Sequence, residues 1–132
     1  MIVSLHVATG AAGGAAAGSR LRAIAFGALL HFLGDRLPHQ DIASRTFETV
    51  SGAACVLALI AARGPLDNAT VGALAGSLPD VEHIVRLPRP GGRKLFPSHR
   101  IRGWHRTGGI SASLQVFLAG LILGSLLRPK RP

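Results

Sequence analysis

Three side chains able to bind a metal lie four residues apart in the stretch HFLGDRLPHQD: His31, Asp35 and His39. Residues four apart share one face of a helix, so the first two can approach a single point. Pro38 should end the helix at or near Leu37, which places His39 just beyond the end, where it can turn back towards that point. Two interpretations are open: a metal site, or the polar end of an ordinary helix.

Two further segments, PDVEH and SHRIRGWHR, also contain histidine or acidic residues. In PDVEH these residues follow Pro79, which should loosen the backbone there. Their members are Asp80, Glu82, His83, His99 and His105. Imidazoles and carboxylates suit zinc, manganese or iron, and the only thiol in the chain is Cys55. Any one of these histidines alone would more often be a helix-end or interfacial residue. Clustering them in an apolar body without a cation would be costly, so their combination favours a metal site.

The composition points towards a membrane. The 132 residues are 48% hydrophobic and still carry 15 Lys and Arg against 6 Asp and Glu, a formal charge of +9. The mean hydropathy is +0.36, which is high for a soluble protein of this charge. Abundant Ala and Gly favour close helix packing in lipid. The positive excess favours anionic partners, either phospholipid head groups or nucleic acid.

The apolar segments predict helices, with no alternation typical of strands. They cover residues 2–18, 21–34, 49–62, 69–85 and 110–127. The last is the best transmembrane candidate, because 18 residues without a charge span about 27 Å, whereas 49–62 is rather short for a crossing. We therefore predict an all-α fold: one domain over residues 1–132, a small membrane-embedded bundle of four or five helices with an irregular basic loop.

The first apolar segment contains Gly10, Gly14 and Gly18, which form two overlapping GxxxG steps. In a helix these glycines share one face and let a neighbouring backbone approach closely. A flexible linker is the alternative.

The predicted basic loop covers residues 86–109 and contains seven Lys or Arg residues. Arg100, Arg102 and Arg106 could hold a phosphate through paired hydrogen bonds, although contact with lipid head groups is an equal alternative. Trp104 fits an interfacial anchor. This loop carries more positive charge than the shorter basic tail at 128–132, so the positive-inside rule favours the cytoplasmic side for the loop.

The order of the motifs resembles a family of membrane-bound, metal-dependent hydrolases that includes the LexA-regulated inner-membrane hydrolases. Its members show an early His before a Gly-rich helix, then PDxDH, then an HRGxTHS-like motif. LHVATGAAGG matches the first with His6, LPDVEHI the second with Glu82 replacing the usual Asp, and HRIRGWHRTGG the third. In the third motif two extra residues precede Gly103, Trp104 follows it, and no Ser follows His105.

The stretch HFLGD also resembles a helix of the zinc-dependent phospholipase C and single-strand-nuclease superfamily, over about a dozen residues. There a His and an Asp one turn apart, with a further His downstream, bind zinc. Spacing and resemblance together predict a divalent metal site, most simply for zinc, with these ligands: His6, His31, Asp35, His39, Asp80, His83 and His105.

The functional prediction is a membrane-bound hydrolase, in the bacterial inner membrane, that attacks a small ester or phosphodiester with metal-activated water. Asp80 and Glu82 are the predicted catalytic residues, the latter as a ligand or general base. The alternative is a non-catalytic integral membrane protein with a structural His/Asp cluster and a basic loop that binds lipid or a partner. Nucleic-acid binding by that loop is disfavoured, because no recognition fold accompanies it.

Overall fold

Helices account for most of the chain in the computed structural model, which describes residues 1–128. Seven α-helices follow in order: α1 Val3–Ala16, α2 Arg20–Gly34, α3 Arg45–Arg63, α4 Asn68–Ser77, α5 Val81–Ile84, α6 Pro97–Arg100 and α7 Ala112–Leu126. Two 3-10 turns, Leu78–Asp80 and Pro90–Gly92, lie between them. Residues 1–128 contain isolated β-bridges but no strand, so the all-helical prediction is confirmed.

Local sequence sets the helix boundaries. Ser19, Ser44, Asp67 and Ser111 each accept a hydrogen bond from a backbone N–H of the first turn that follows. Pro79 interrupts the fourth helical segment as predicted, so α4 is followed by a 3-10 turn and then by the single turn of α5. The end of α2 lies three residues earlier than predicted, at Gly34 rather than Leu37.

The five long helices α1, α2, α3, α4 and α7 alternate in direction, so their ends form two groups. At one end Ile2 N–H donates to Gln115 and Val3 N–H donates to Glu48. At the other, the Arg63 guanidinium donates to the carbonyl of Leu126. We call the first group, which includes residues 35–45 and 78–110, the site end, and the second the far end.

Glycines bring α1 and α4 into backbone contact. A Cβ at Gly10 would lie 2.5 Å from the carbonyl oxygen of Gly72, and one at Gly72 would lie 2.3 Å from that of Gly10. Gly14 meets the backbone of Asn68 in the same way. The first GxxxG step therefore is a helix contact, as predicted. The second is not: Gly18 follows α1 with φ +69° and has no neighbour within 4 Å.

The structure reverses the predicted order of the two transmembrane candidates, 49–62 and 110–127. Within residues 1–128, α3 is the one helix long and apolar enough to cross a membrane, with 19 residues, a mean hydropathy of 1.3 over its 18-residue window and 11% of that window buried. The cap at Ser44 starts it four residues before the predicted segment. The favoured segment 110–127 forms only a 15-residue helix, α7, because Ser111 caps its start and it ends at Leu126.

Large apolar side chains point outwards from three helices. Leu21 on α2, Leu57 on α3 and Phe117 on α7 are 78%, 63% and 60% exposed. Polar side chains are instead enclosed, and His6 and Gln115 are fully buried. An apolar core that includes Ile2, Val7 and Leu59 lies beside these buried polar groups, so apolar side chains are found both in the interior and on the outer surface.

Candidate metal centre

Separate elements deliver polar side chains to the site end of the bundle. His6 lies on α1, His31 on the last turn of α2, and Asp35 is the C-cap of that helix. None of these three is more than 1% exposed. His39 follows α2 and is also fully buried, and Asp80 ends the 3-10 turn after α4. Five acidic or imidazole groups from distant parts of the chain therefore share the bundle interior.

Asp35 is the centre of the cluster. Its Oδ1 lies 3.1 Å from Nε2 of His6, and its Oδ2 lies 3.2 Å from Nε2 of His31 and 3.5 Å from Nε2 of His99. Nε2 of His105 lies 3.9 Å from Oδ1. The Met1 amino group also contacts this oxygen, at 3.1 Å. Four imidazoles thus direct a nitrogen at one carboxylate, which accounts for the spacing of His31 and Asp35 in the sequence.

The possible ligand atoms form four overlapping groups, within each of which they lie no more than 4.8 Å apart. The groups are His6–His31–Asp80, His31–Asp35–His99, Asp35–His39–His105 and Asp80–His83–His99. Every residue predicted as a metal ligand belongs to at least one group. The structure shows this convergence; coordination itself remains a prediction.

His99 is the residue that the predicted ligand set lacks. It belongs to two of the four groups and lies on the single turn α6, which Pro97 starts. The first His of the HRGxTHS-like motif was the available signal, but the two residues inserted before Gly103 weakened it. A loop whose spacing departs from its motif can still deliver the same side chain, because contacts with the rest of the fold position it.

Two of the histidine rings, those of His31 and His39, are held by the nitrogen that faces away from the cluster. Nδ1 of His31 donates to the carbonyl of Gly76 at 2.7 Å, and Nδ1 of His39 to that of Leu37 at 2.6 Å. Because a neutral imidazole has one proton, these bonds leave a lone pair on Nε2, the atom that points inwards. Metal-binding histidines are typically oriented in this way.

Several inward-facing atoms have no hydrogen-bond partner in the described part of the chain although they are buried. They include Nε2 of His31, Oδ2 of Asp35 and Oδ2 of Asp80. The first two are only 3.2 Å apart but both are acceptors, so no hydrogen bond satisfies them. Buried acceptors that face each other are costly unless a cation lies between them. This donor set fits a divalent metal ion.

Glu82 contacts His99 rather than the centre of the cluster. Its Oε1 accepts a hydrogen bond from Nδ1 of His99 at 2.6 Å, and its Oε2 accepts one from the backbone N–H of Leu95 at 2.9 Å. Both oxygens are therefore engaged. Burial opposes the ionisation of Glu82, but these two hydrogen bonds outweigh it and lower its pKa. The carboxylate is thus suited to fix the tautomer and orientation of His99.

Electrostatic effects separate the two aspartates. Burial raises the pKa of Asp80 to about 6. Burial also opposes ionisation of Asp35, but the imidazoles of His31, His6 and His99 that surround the carboxylate outweigh it and hold its pKa below the usual range. Asp35 is therefore a permanent anion, whereas Asp80 gains or loses a proton near neutral pH.

The basic loop is packed against the end of α2. Trp104 stacks on Phe32 with ring centroids 4.1 Å apart, and its indole N–H donates to the carbonyl of Phe32 at 2.8 Å. The backbone N–H of Arg106 donates to the carbonyl of Asp35, and that of His39 to the carbonyl of Arg106. Trp104, interpreted from sequence as an interfacial anchor, thus holds the segment with His99 and His105 against the cluster.

A cavity of about 550 Å³ opens onto the cluster. Asp35, Asp80, His83, His99 and His105 line it on one side. The basic residues that line it are Arg45, Lys94, Arg100 and Arg102. Two of the three predicted phosphate-binding arginines therefore reach the cavity; Arg106 is not among its lining residues. Arg45 and Lys94 were not predicted, since only the fold brings the start of α3 and the loop together.

No known protein family, characterised protein or solved structure matches this chain significantly. The resemblance to membrane-bound hydrolases therefore rests on the motifs alone and stays a prediction.

Proposed function

We propose that this protein is a membrane-embedded, metal-dependent hydrolase that acts on phosphoesters. The observation that carries the proposal is that Asp35 and Asp80, each with a buried and partnerless Oδ2, line an open cavity. Four basic side chains line the same cavity, together with the carboxylates of Asp41 and Glu48. A bound divalent cation, most simply zinc, would lower the pKa of a coordinated water from 15.7 towards about 7. An open cavity favours catalysis over a purely structural site, which is normally closed by protein ligands.

The overlap of the ligand groups supports two cations. Asp35 belongs both to the group with His31 and His99 and to the group with His39 and His105. Its Oδ2 faces the first pair of imidazoles, while His105 lies nearer to Oδ1. A carboxylate with oxygens directed to two sets of ligands is suited to bridge two ions. Asp35 would thus be a ligand common to both sets, with His31 and His99 in one and His39 and His105 in the other.

The remaining residues have distinct roles in the proposed reaction. Oδ2 of Asp80 lacks a partner and lies beside the cavity, so it is the atom that we assign to accept a proton from the attacking water. Glu82 is a positioning residue for His99. Arg45, Arg100 and Arg102 would neutralise the substrate phosphate, which favours an anionic phosphodiester over an uncharged carboxyl ester.

The outward apolar faces support embedding in lipid. Leu21, Leu57 and Phe117 expose apolar side chains on three different helices, while the polar cluster lies inside. With about 28 Å of length, α3 can cross the hydrocarbon core. The basic loop then lies at the membrane surface, on the cytoplasmic side of the bacterial inner membrane by the positive-inside rule.

Elemental analysis and turnover of the detergent-purified protein test the proposal. We expect two zinc ions per chain and hydrolysis of bis-p-nitrophenyl phosphate, with much slower release from p-nitrophenyl acetate. His105→Ala should fold, retain one zinc and lose turnover, because His105 is the most accessible ligand of the second group. A protein that binds no divalent metal, or an Asp35→Asn variant with unchanged metal content, would contradict it.

Glu82→Gln separates a catalytic from a structural centre. It should fold, bind zinc about 10–100-fold more weakly and regain turnover at high zinc, because only the orientation of His99 is disturbed. Asp67→Asn, which removes a carboxylate at the far end but keeps an N-cap, is the matched control and should change neither property. If the wild type with its full zinc content hydrolyses neither reporter, the centre is structural.

A further inference from the structure

A second cavity, of about 370 Å³, lies along α3 beside α5 and is almost entirely apolar. Gly52, Ala53, Val56 and Leu57 line it from α3, and Val81 and Ile84 line it from the opposite side. We call it the side groove. Its lining on α3 extends from Thr49 to Leu57, which corresponds to about 12 Å along the helix axis.

The side groove adjoins the cavity at the candidate metal centre. Val3, Thr49, Asp80 and Ile84 line both. Asp80, the proposed proton acceptor, is therefore located at their junction. On one side of this junction the lining carries charged side chains, among them Arg45, Arg100 and Arg102, and on the other side it is almost entirely apolar.

The side groove also reaches the outer surface of the bundle. Leu57, at its end on α3, is 63% exposed, and Ile84, near the junction, is 48% exposed. Leu57 belongs to the outward apolar face of α3 that we propose to contact lipid, and Ile84 continues this apolar surface towards the junction. A hydrocarbon chain could therefore enter from the bilayer without crossing a polar surface.

Together these features define an amphiphilic binding site, and we propose that the side groove holds the hydrocarbon chain of the substrate, a single-chain alkyl or acyl phosphoester. This inference rests on the proposed phosphoesterase function and specifies its substrate class. The phosphate would occupy the cavity near Arg45, Arg100 and Arg102, with the scissile bond beside Asp80 and the chain along α3. The opposite characters of the two cavities match the charged and apolar parts of such a molecule.

A series of p-nitrophenyl alkyl phosphodiesters with methyl, butyl and hexyl chains tests the proposal, because charge and leaving group stay constant. Hydrolysis forms a P–O bond from water and breaks the bond to p-nitrophenolate, which leaves with the electron pair. With zinc-loaded wild type in detergent, kcat/KM should rise with chain length, by up to about fourfold for each added methylene.

Substitutions on α3 test whether the side groove causes the dependence of kcat/KM on chain length. Ala53→Trp, or the smaller change Ala53→Leu, should fill the side groove and bring the hexyl-to-methyl ratio of kcat/KM close to one. Ala54→Trp is the matched control: Ala54 is the next residue on the same helix, is exposed and lines neither cavity, so the ratio should stay as in wild type. Helix content and zinc per chain verify that each variant is folded.

The outcomes distinguish this inference from the proposed function. Hydrolysis of the methyl ester without any dependence on chain length would overturn the side-groove assignment and leave the hydrolase proposal standing. If no ester is hydrolysed, the hydrolase proposal fails, and binding of methylphosphonate and hexylphosphonate to the zinc-loaded protein decides the inference. Equal affinities for the two phosphonates would then overturn it, and tighter hexylphosphonate binding that Ala53→Trp removes would support it.

Discussion

Asp35 combines two roles that are usually found in different residues. As the C-cap of α2 it follows His31 by one helical step, and its backbone carbonyl accepts a hydrogen bond from Arg106 of the basic loop. The same residue directs its carboxylate at four imidazoles. The position of the anion is thereby fixed by backbone as well as by side-chain contacts. A carboxylate common to two sets of possible ligands would need this rigidity, because a small displacement would affect both sets.

Asp80 should make the stability of the metal-free protein depend on pH. Burial raises its pKa from 3.8 to about 6, so between these values the folded state binds more protons than the unfolded state. The contribution of Asp80 to the free energy of unfolding must then fall as the pH rises through this window, by about 3 kcal/mol in all.

Denaturant unfolding of chelator-treated wild type and Asp80→Asn at pH 4 and pH 7 measures this contribution. We expect wild type to lose stability relative to the variant on going from pH 4 to pH 7. Other titrating groups affect both proteins, so the difference between them isolates Asp80. If the free energies of unfolding of wild type and Asp80→Asn differ by the same amount at both pH values, the carboxyl group of Asp80 is hydrated in the metal-free fold.

Residue spacing predicted the contact between His31 and Asp35 but not the contact of Glu82 with His99. The i, i+4 relation of His31 and Asp35 depends only on helix geometry, so the sequence was sufficient to predict it. The contact of Glu82 with His99 joins positions 17 residues apart across an irregular loop, where no periodicity applies. Glu82 was accordingly predicted as a ligand or general base, roles that its two engaged oxygens do not favour.

At the scale of elements, the glycines of α1 and α4 connect helix packing to the candidate metal centre. The carbonyl of Gly76 on α4 accepts the hydrogen bond that orients His31 on α2, so the position of α4 determines the direction of that imidazole. Close approach of α1 and α4 depends on Gly10 and Gly72. The GxxxG pattern predicted the glycine face of α1, but its partner helix depends on tertiary packing that one sequence does not specify.

Gly72→Ala should displace α4 and weaken both the fold and the centre. The new Cβ would lie 2.3 Å from the carbonyl oxygen of Gly10, and backbone atoms cannot rotate away. We expect a loss of about 1–3 kcal/mol in the free energy of unfolding, together with weaker zinc binding through His31.

Thermal unfolding in detergent, followed by circular dichroism, and zinc titration measure the two effects. Gly120→Ala on α7 is the matched control, since a Cβ there has no neighbour within 4 Å, and it should stabilise its helix by up to about 1 kcal/mol. Equal stability of the two variants would contradict the tight contact between α1 and α4.

At the scale of the whole molecule, the amino-acid composition suggests contact with lipid, but only one described helix is long and apolar enough to cross a membrane. The distribution of apolar side chains over the bundle surface accounts for this difference. The apolar surface is spread over α2, α3 and α7, and of these only α3 reaches 19 residues. Window-based hydropathy evaluates one segment at a time, whereas the outward-facing surface forms only when the helices assemble. The embedding that we propose should therefore depend on the outer faces of the shorter helices too.

Leu121→Arg on α7 tests this dependence, because water and lipid predict different results. Leu121 is 56% exposed and lies in the middle part of the helix. At the centre of a bilayer an arginine costs about 2.5–3.5 kcal/mol, whereas an exposed site in water tolerates it within about 0.5 kcal/mol. We expect the carbonate-resistant membrane fraction to contain less Leu121→Arg than wild type, and we expect the variant to unfold more easily in detergent.

Ser113→Arg is the control for this substitution. Ser113 is exposed on the first turn of α7, near the proposed membrane surface, so this variant should remain inserted. If Leu121→Arg instead gave a folded, zinc-binding protein in the soluble fraction, the outer face of α7 would be in contact with water, and the site would belong to a soluble bundle.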